Sequence, residues 1–120
     1  MNRGFTLLEM LVTIVLLTAG IVAILQMMSR TLYADSAVEH YTIAYYLAQE
    51  RMEQIKDASS YANIDSYAQA RTDLTGDYAA YDREVTVSGD PKQVNVIIYW
   101  SEGGQDQSVD LVTLLADYDY

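Results

Sequence analysis

Few residues of this chain have side chains suited to chemistry, and the most unusual of them is Glu9. It is the only charged residue between Arg3 and Arg30, in a stretch that is otherwise mostly apolar. A carboxylate in a membrane costs about 2.5–3.5 kcal/mol at the bilayer centre and less near the interface, so it usually has a partner. Hydration at the level of the lipid headgroups is the alternative. The sequence therefore marks Glu9 as a candidate for pairing with a positive charge.

The residue types that usually build catalytic and metal sites are scarce in the rest of the chain. The 120 residues include no cysteine, a single histidine (His40) and no Gly-rich phosphate loop. This excludes disulfides, zinc thiolates, thiol nucleophiles and the common nucleotide sites. No Ser, His and Asp and no paired carboxylates converge in the sequence. We therefore expect no enzymatic activity, no catalytic residue, no metal and no cofactor.

The charge balance excludes a further class of protein. There are 17 acidic residues against 7 basic ones, which gives a formal net charge of -10. A protein that binds nucleic acid through its phosphates needs the opposite balance. We therefore expect no direct binding of nucleic acid.

Other groups of residues admit both a chemical and a structural explanation, and the structural one is favoured each time. His40 is expected at the surface, whereas Ile98 and Trp100 are expected in the core. Two sets of carboxylates offer oxygen ligands for calcium, but their spacing fits no calcium loop and a solvated acidic surface explains them: Asp73, Asp77 and Asp82, and Asp117 with Asp119. Four tyrosines suggest an aromatic relay, but tyrosine also suits half-hydrated packing surfaces: Tyr33, Tyr41, Tyr45 and Tyr46.

One long helix is predicted to hold Glu9. The apolar run from Phe5 to Met28 is long enough, as a helix, to cross a hydrocarbon core of about 30 Å. From Thr31 to Lys56 there is no Gly or Pro, and apolar residues recur at steps of three and four. They are Ala34, Ala37 or Val38, Tyr41, Ala44 or Tyr45, Ala48, Met52 and Ile55. The pattern predicts a membrane-spanning half (5–29) followed by an amphipathic half (30–56).

The remainder of the chain, 57–120, is predicted to be a loop followed by a small sheet. The loop, Asp57 to Asp82, is expected to hold one short helical turn. Apolar residues then alternate with polar ones in three strands separated by Gly-containing turns: Tyr81 to Val87, Val94 to Trp100 and Val109 to Leu115. Such a sheet needs cover on one face, and the amphipathic half of the helix is available. The predicted fold class is α+β, a long N-terminal helix packed on an antiparallel sheet of about three strands.

The segment Arg3-Gly4-Phe5-Thr6-Leu7-Leu8-Glu9, together with the apolar run after it, resembles the class III signal of type IV prepilins and the related pseudopilins. The resemblance implies that a prepilin peptidase removes residues 1–4 by cutting between Gly4 and Phe5 on the cytoplasmic side. It also implies that the new amine of Phe5 is methylated. Glu9 would attract the terminal amine of a neighbouring subunit and so set the register between subunits.

A second stretch, Tyr46 to Ile55, resembles the outer helix end of minor pilins and of the I-type minor pseudopilin of type II secretion. Major pilins commonly carry a disulfide-closed loop and a proline in the apolar half, and this chain has neither. The resemblance therefore implies a minor structural subunit with a pilin-like fold. Its partners would be other pilin-like subunits, the prepilin peptidase, the inner-membrane platform protein and an assembly ATPase.

The same resemblance implies a location. The chain would cross the bacterial inner membrane once, with its C-terminal domain extracytoplasmic, and would then enter a filament at the cell envelope or surface. A type IV pilus and a type II secretion pseudopilus both remain open. A different class of protein, a signal-anchored extracytoplasmic binding module, would retain Met1 to Gly4 and would not polymerise.

Overall fold

The computed structural model describes residues 4–57 and 60–117. The chain forms two compact units, Met1–Ser36 and Ala37–Tyr120. Its one long helix, α1, runs from Leu7 to Lys56 and confirms the predicted helix. The other elements are a 3₁₀ helix (Tyr61–Tyr67), β1 (Gln69–Asp73), a short 3₁₀ turn (Gly76–Tyr78), β2 (Tyr81–Ser88), β3 (Lys92–Glu102) and β4 (Gln105–Leu115).

Helix α1 can be this long because its sequence contains no strong helix breaker. It has no proline, and Gly20 is its one glycine. Leu, Ala, Met, Glu and Gln, which favour helices, are frequent along it. Glu9 lies in the first turn and Lys56 in the last turn. These charges have the signs that the helix dipole favours at its two ends.

In the first unit the helix leaves its apolar side chains uncovered. It contains an 18-residue window with a mean hydropathy of 2.5, none of which is buried. Leu8, Leu17 and Met27 are each more than 60% exposed. Such a surface is unfavourable in water at about 25 cal/mol per Å². A bilayer or neighbouring helices therefore have to cover this part of α1, and its length and composition allow it to cross a membrane.

The hydroxyl groups of this part of the helix bond back to the helix itself. Thr13 Oγ1 donates to the carbonyl oxygen of Glu9 at 2.7 Å, and Thr18 Oγ1 donates to that of Val15 at 2.9 Å. Ser29 Oγ donates to the Leu25 carbonyl oxygen at 3.1 Å. Because each donor has a partner within the helix, these hydroxyls can enter an apolar surrounding without an unsatisfied hydrogen bond.

In the second unit, four strands form an antiparallel meander in the order β1-β2-β3-β4. The three predicted strands are confirmed as β2, β3 and β4. The prediction of about three strands was nevertheless wrong, because β1 adds a fourth and pairs with β2. The region predicted as a loop with one helical turn contains β1 and two 3₁₀ segments.

Strand β1 was missed because its sequence does not have the usual pattern of a strand. Its five residues are Gln-Ala-Arg-Thr-Asp, and the four from Ala70 to Asp73 are exposed. The pairing with β2 also shifts register between Gln69 and Thr72. An edge strand with no buried face carries no apolar alternation, so the strand forms through its pairing with β2.

The core of the second unit lies between one face of α1 and one face of the sheet. The central strand β3 contributes every second residue to it, as the alternation predicted. On the helix, small Ala44 and Ala48 are followed by larger Met52 and Ile55, and all four are buried against the sheet. The other buried residues are Ile64, Tyr81, Val85, Val94, Val96, Ile98, Trp100 and Val109.

The buried stripe of α1 differs from the predicted one at its beginning. Ala34, Val38 and Tyr41 are exposed, whereas His40, which was expected at the surface, is partly buried, as is Arg51. Apolar residues do recur at steps of three and four along the helix, as predicted. This spacing did not determine which of the neighbouring helix faces packs on the sheet. The stripe that meets the sheet begins at Ala37 and His40.

Arg83 is a polar residue on the core-facing side of β2, at a position that the alternation placed beside apolar residues. Its guanidinium donates to Gln69 Oε1 at 3.3 Å. Loss of water around it lowers the pKa of Arg83 below its ordinary value, and the charge of Arg51 lowers this pKa further. The guanidinium still remains charged, because the ordinary pKa of arginine lies far above neutral pH.

Lys92 connects the 3₁₀ helix to the turn between β2 and β3. Its Nζ donates to the Tyr61 carbonyl oxygen at 2.9 Å and pairs with Asp65 Oδ2 at 2.7 Å. Its backbone N–H donates to the Tyr61 hydroxyl at 3.0 Å, and that hydroxyl donates to Asp90 Oδ1 at 3.1 Å. The Lys92 side chain is 12% exposed and that of Asp65 is 67% exposed, so water reaches the ion pair from the Asp65 side only.

Replacing Lys92 with Met is therefore expected to lower the free energy of unfolding of the second unit by about 1–2 kcal/mol. This corresponds to a fall in the unfolding temperature of about 4–8 °C per kcal/mol. Thermal unfolding of the full chain in detergent micelles can be followed by the fluorescence of Trp100, the single tryptophan. Lys56→Met, at an exposed lysine, is the control. Equal unfolding temperatures for the two variants would contradict the prediction.

Candidate functional site

The candidate site is the segment from Gly4 to Glu9, where the chain enters helix α1. Phe5 is 78% exposed and Glu9 is exposed as well. Gly4, Phe5, Thr6 and Glu9 line one open concavity. The structure therefore brings the three predicted site residues, Gly4, Phe5 and Glu9, into one accessible region. Residues 1–3 of the expected leader lie outside the described residues.

Thr6 fixes where the helix begins. The Glu9 N–H donates to Thr6 Oγ1 at 3.2 Å, and the Met10 N–H donates to the Thr6 carbonyl oxygen at 3.2 Å. A threonine before the first helical residue, with a glutamate three positions later, is the sequence pattern of a helix cap. Thr6 is not among the site residues predicted from the sequence. The signal that identifies it is the Thr-x-x-Glu spacing immediately before the apolar run.

The conformation of the chain does not explain the glycine at position 4. A Cβ atom added to Gly4 would meet no atom within 4 Å, and its backbone is not in the left-handed region. The protein could therefore hold a larger residue at this position without strain. Any requirement for glycine must come from a molecule that binds the segment from outside.

Glu9 is exposed and lies in the first turn of helix α1. Among the described residues, no basic side chain forms an ion pair with Glu9. Its position in the first turn is favourable by about 0.3–1 kcal/mol, because the helix N-terminus carries a partial positive charge. This is less than the cost of a carboxylate in hydrocarbon. The arrangement is suited to binding a cationic group of another molecule.

His40, Ile98 and Trp100 lie in the second unit and have structural surroundings there. His40 Nδ1 lies 2.8 Å from the Tyr81 hydroxyl. Burial raises the pKa of Tyr81, and the Glu39 charge raises it further, so the phenol keeps its proton. Ile98 and Trp100 are in the core, as expected. The expectation of a surface His40 was wrong, because a contact between distant segments holds it.

The acidic groups do not assemble a metal site within residues 4–57 and 60–117, where no group of three His, Cys, Asp or Glu side chains converges. Asp73 and Asp82 are opposite each other in the β1–β2 pairing. Asp82 Oδ2, however, accepts from Arg71 Nε at 2.8 Å, and Arg71 also reaches Asp106 at 3.4 Å. Asp119 lies outside the described residues.

The tyrosines proposed for an aromatic relay are exposed. The rings of Tyr45 and Tyr46 lie 6.4 Å apart, edge to face. Tyr33 and Tyr41 are exposed by 79% and 55%. These positions fit the structural explanation, in which tyrosine rings cover half-hydrated surfaces.

The comparisons with known proteins agree with the geometry of the N-terminal segment. A family model described as the prokaryotic N-terminal methylation motif matches residues 1–25. No curated protein and no solved structure shows a significant match to the chain. The matched residues include Gly4, Phe5, Thr6 and Glu9. The chain therefore carries the N-terminal methylation motif typical of type IV prepilins and pseudopilins, on a pilin-like α+β fold.

Proposed function

We propose that this protein is a minor structural subunit of a type IV pilus or a type II secretion pseudopilus. The observation that carries the proposal is the N-terminal methylation motif at the start of an apolar, uncovered helix. Prepilin peptidase removes the leader, residues 1–4, and methylates Phe5. Residues 5–29 then lie in the inner membrane and later in the filament core. The outer half of the helix (30–56) and the domain 57–120 lie outside the cytoplasm.

In this proposal, assembly depends on contacts between helices. The exposed apolar surface of α1 packs against the same surface of neighbouring subunits, which covers it after it leaves the bilayer. Glu9 pairs with the methylated amine of a neighbouring Phe5, because opposite charges in a medium of low dielectric attract strongly. Other pilin-like subunits, the platform protein and an assembly ATPase are the partners that this process needs.

Two features support a minor rather than a major subunit. The chain has no cysteine for a disulfide-closed loop. The stretch Tyr46 to Ile55, which resembles minor pilins and the I-type minor pseudopilin, carries Ala48, Met52 and Ile55 on its buried face. The apolar residues of this stretch therefore also pack α1 on the sheet.

The test is the N-terminal sequence and intact mass of the protein from its native host, in membranes and in sheared surface fractions. We expect a chain that begins at N-methyl Phe5. Gly4→Val should fold normally, since the position has open space, but should remain unprocessed and begin at Met1. Gly20→Val is the matched control, because Gly20 has equally open space. A wild-type chain that still begins at Met1 would favour the signal-anchored binding module.

A further inference from the structure

Strand β4 leaves one hydrogen-bonding edge free. It is 11 residues long and lies at the end of the described sheet, where it pairs with β3. The two strands are joined by Gly103 and Gly104, both with positive φ, in a two-residue turn. In such a turn the flanking residues, Glu102 and Gln105, exchange both backbone hydrogen bonds.

The pairing alternates along an antiparallel ladder, so every second residue of β4 directs its N–H and C=O away from β3. Counting from the Gln105 pair, the outward groups belong to Asp106, Ser108, Asp110, Val112 and Leu114. The core-facing residues Val109 and Leu111 belong to the other set. The free edge and the solvent-facing side chains of β4 are therefore contributed by the same five residues.

The second half of this edge is apolar and uncovered. Val112 is 51% exposed and Leu114 is 65% exposed. Proteins usually protect an edge strand by making it short or bulged, or by placing charged residues, above all lysine, along it, and the second half of β4 has no charged residue after Asp110. At the other end of the sheet, β1 has such protection, since it is five residues long, irregular in register and carries Arg71. Strand β4 is long and regular, so its edge is suited to accept another strand.

The chemistry of the edge identifies what can cover it. A regular row of backbone N–H and C=O groups is complemented by another extended backbone, as in strand addition. The solvent-facing side chains of the edge carry two carboxylates: Asp106, which Arg71 reaches at 3.4 Å, and Asp110, which has no ion-pair partner among the described residues. A second copy of β4 brings further carboxylates and cannot neutralise them. A matching strand has a basic residue opposite Asp110 and apolar residues opposite Val112 and Leu114.

The geometry points to β4 as the docking edge for an extended strand of a different, neighbouring pilin-like subunit, which pairs antiparallel to β4 and in which apolar residues at alternate positions are followed by a basic one. The nature of the neighbour rests on the proposed function, whereas the edge and its preferred sequence rest on the sheet. Addition of the strand extends the four-stranded sheet and covers Val112 and Leu114.

The direct test uses a synthetic probe, the blocked peptide Thr-Val-Thr-Val-Thr-Lys-Thr, with the full-length chain in detergent micelles. We expect saturable binding, and about tenfold weaker binding when Glu replaces Lys in the peptide. Val112→Pro should abolish binding, because it removes an N–H at the free edge and leaves the ladder with β3 intact. The fluorescence of Trp100 reports whether this variant is folded.

Asp110→Lys provides a second test that does not alter the backbone. It should reverse the preference, so that the Glu peptide binds more tightly than the Lys peptide. Asp77→Lys makes the same charge change in the 3₁₀ turn between β1 and β2, away from β4, and should leave the preference as it is. The inference is overturned if the Lys peptide does not bind at about 1 mM, if folded Val112→Pro binds it equally, or if Asp110→Lys leaves the preference unchanged. Self-association through this edge without peptide binding would also overturn it.

Measurements in the native host separate this inference from the proposed function. If both are correct, Val112→Pro still begins at Phe5 but is depleted from sheared filaments. If the wild-type chain begins at Met1, the proposed function fails, and the peptide measurements still decide whether β4 accepts a strand. If folded Val112→Pro enters filaments at the wild-type level, β4 is not a docking edge between subunits.

Discussion

Replacing Glu9 with Ala is expected to leave membrane insertion and processing unchanged while reducing the amount of the protein in sheared filaments by about a hundredfold. Glu9 is the one charge of the apolar stretch between Arg3 and Arg30, and the described part of the chain provides no ion-pair partner for it. If it pairs with a methylated amine in the filament, its removal leaves that amine buried and alone. Breaking such a pair costs about 3–5 kcal/mol, which corresponds to a factor of more than a hundred.

Comparison of three variants distinguishes the effect of the Glu9 charge from the effect of its side-chain size. Glu9→Gln keeps the size of the side chain and should behave as Glu9→Ala does, because it also removes the charge. Glu53→Ala, an exposed acid in the outer part of the same helix, should assemble normally. Quantitative detection of each variant in membrane and sheared fractions is the measurement. Wild-type levels of Glu9→Gln in filaments would show that the carboxylate does not set the register.

The elements with strong periodicity could be predicted from the sequence. The alternation in β3, from Val94 to Trp100, places every second residue in the core, and the structure has the same residues buried. Helix α1 was predictable because apolar residues and strong helix formers continue from Leu7 to Lys56 without a proline. The strand β1 has no such signal, because its residues face solvent and its formation depends on pairing with β2.

The site could be predicted for a different reason. Gly4, Phe5 and Glu9 are adjacent in sequence, so their association requires no tertiary contact. The surroundings of His40 and Arg51 depend on segments far along the chain. Tyr81 lies 2.8 Å from His40, and the ring of Tyr67 lies 5.2 Å from the Arg51 guanidinium. Contacts of this kind leave no local pattern, which explains why His40 was wrongly expected at the surface.

The two units of the chain have different roles in the proposed function. All residues that match the methylation motif lie in the first unit, within residues 1–25. The second unit has its own apolar core, in which Ile98, Val94 and Val96 are fully buried. Stability of the sheet and recognition by the peptidase should therefore respond to different mutations.

Ile98→Ala is the sharpest test of this division. Ile98 lies on the central strand and is 0% exposed. Its truncation should lower the free energy of unfolding of the second unit by about 2–5 kcal/mol, since it removes buried methyl groups and leaves a cavity. The expected fall in unfolding temperature is about 10 °C or more, measured by Trp100 fluorescence of the full chain in micelles.

Ile97→Ala is the matched control, because it makes the same change one residue away on the face directed away from the helix. Ile97 is partly exposed there, so we expect a loss below about 1 kcal/mol. Both variants should still begin at N-methyl Phe5, because processing acts on the first unit, whereas Ile98→Ala should be less abundant in the cell. Equal stability of the two would contradict the assignment of the core face, and an unprocessed Ile98→Ala would show that the peptidase requires the folded sheet.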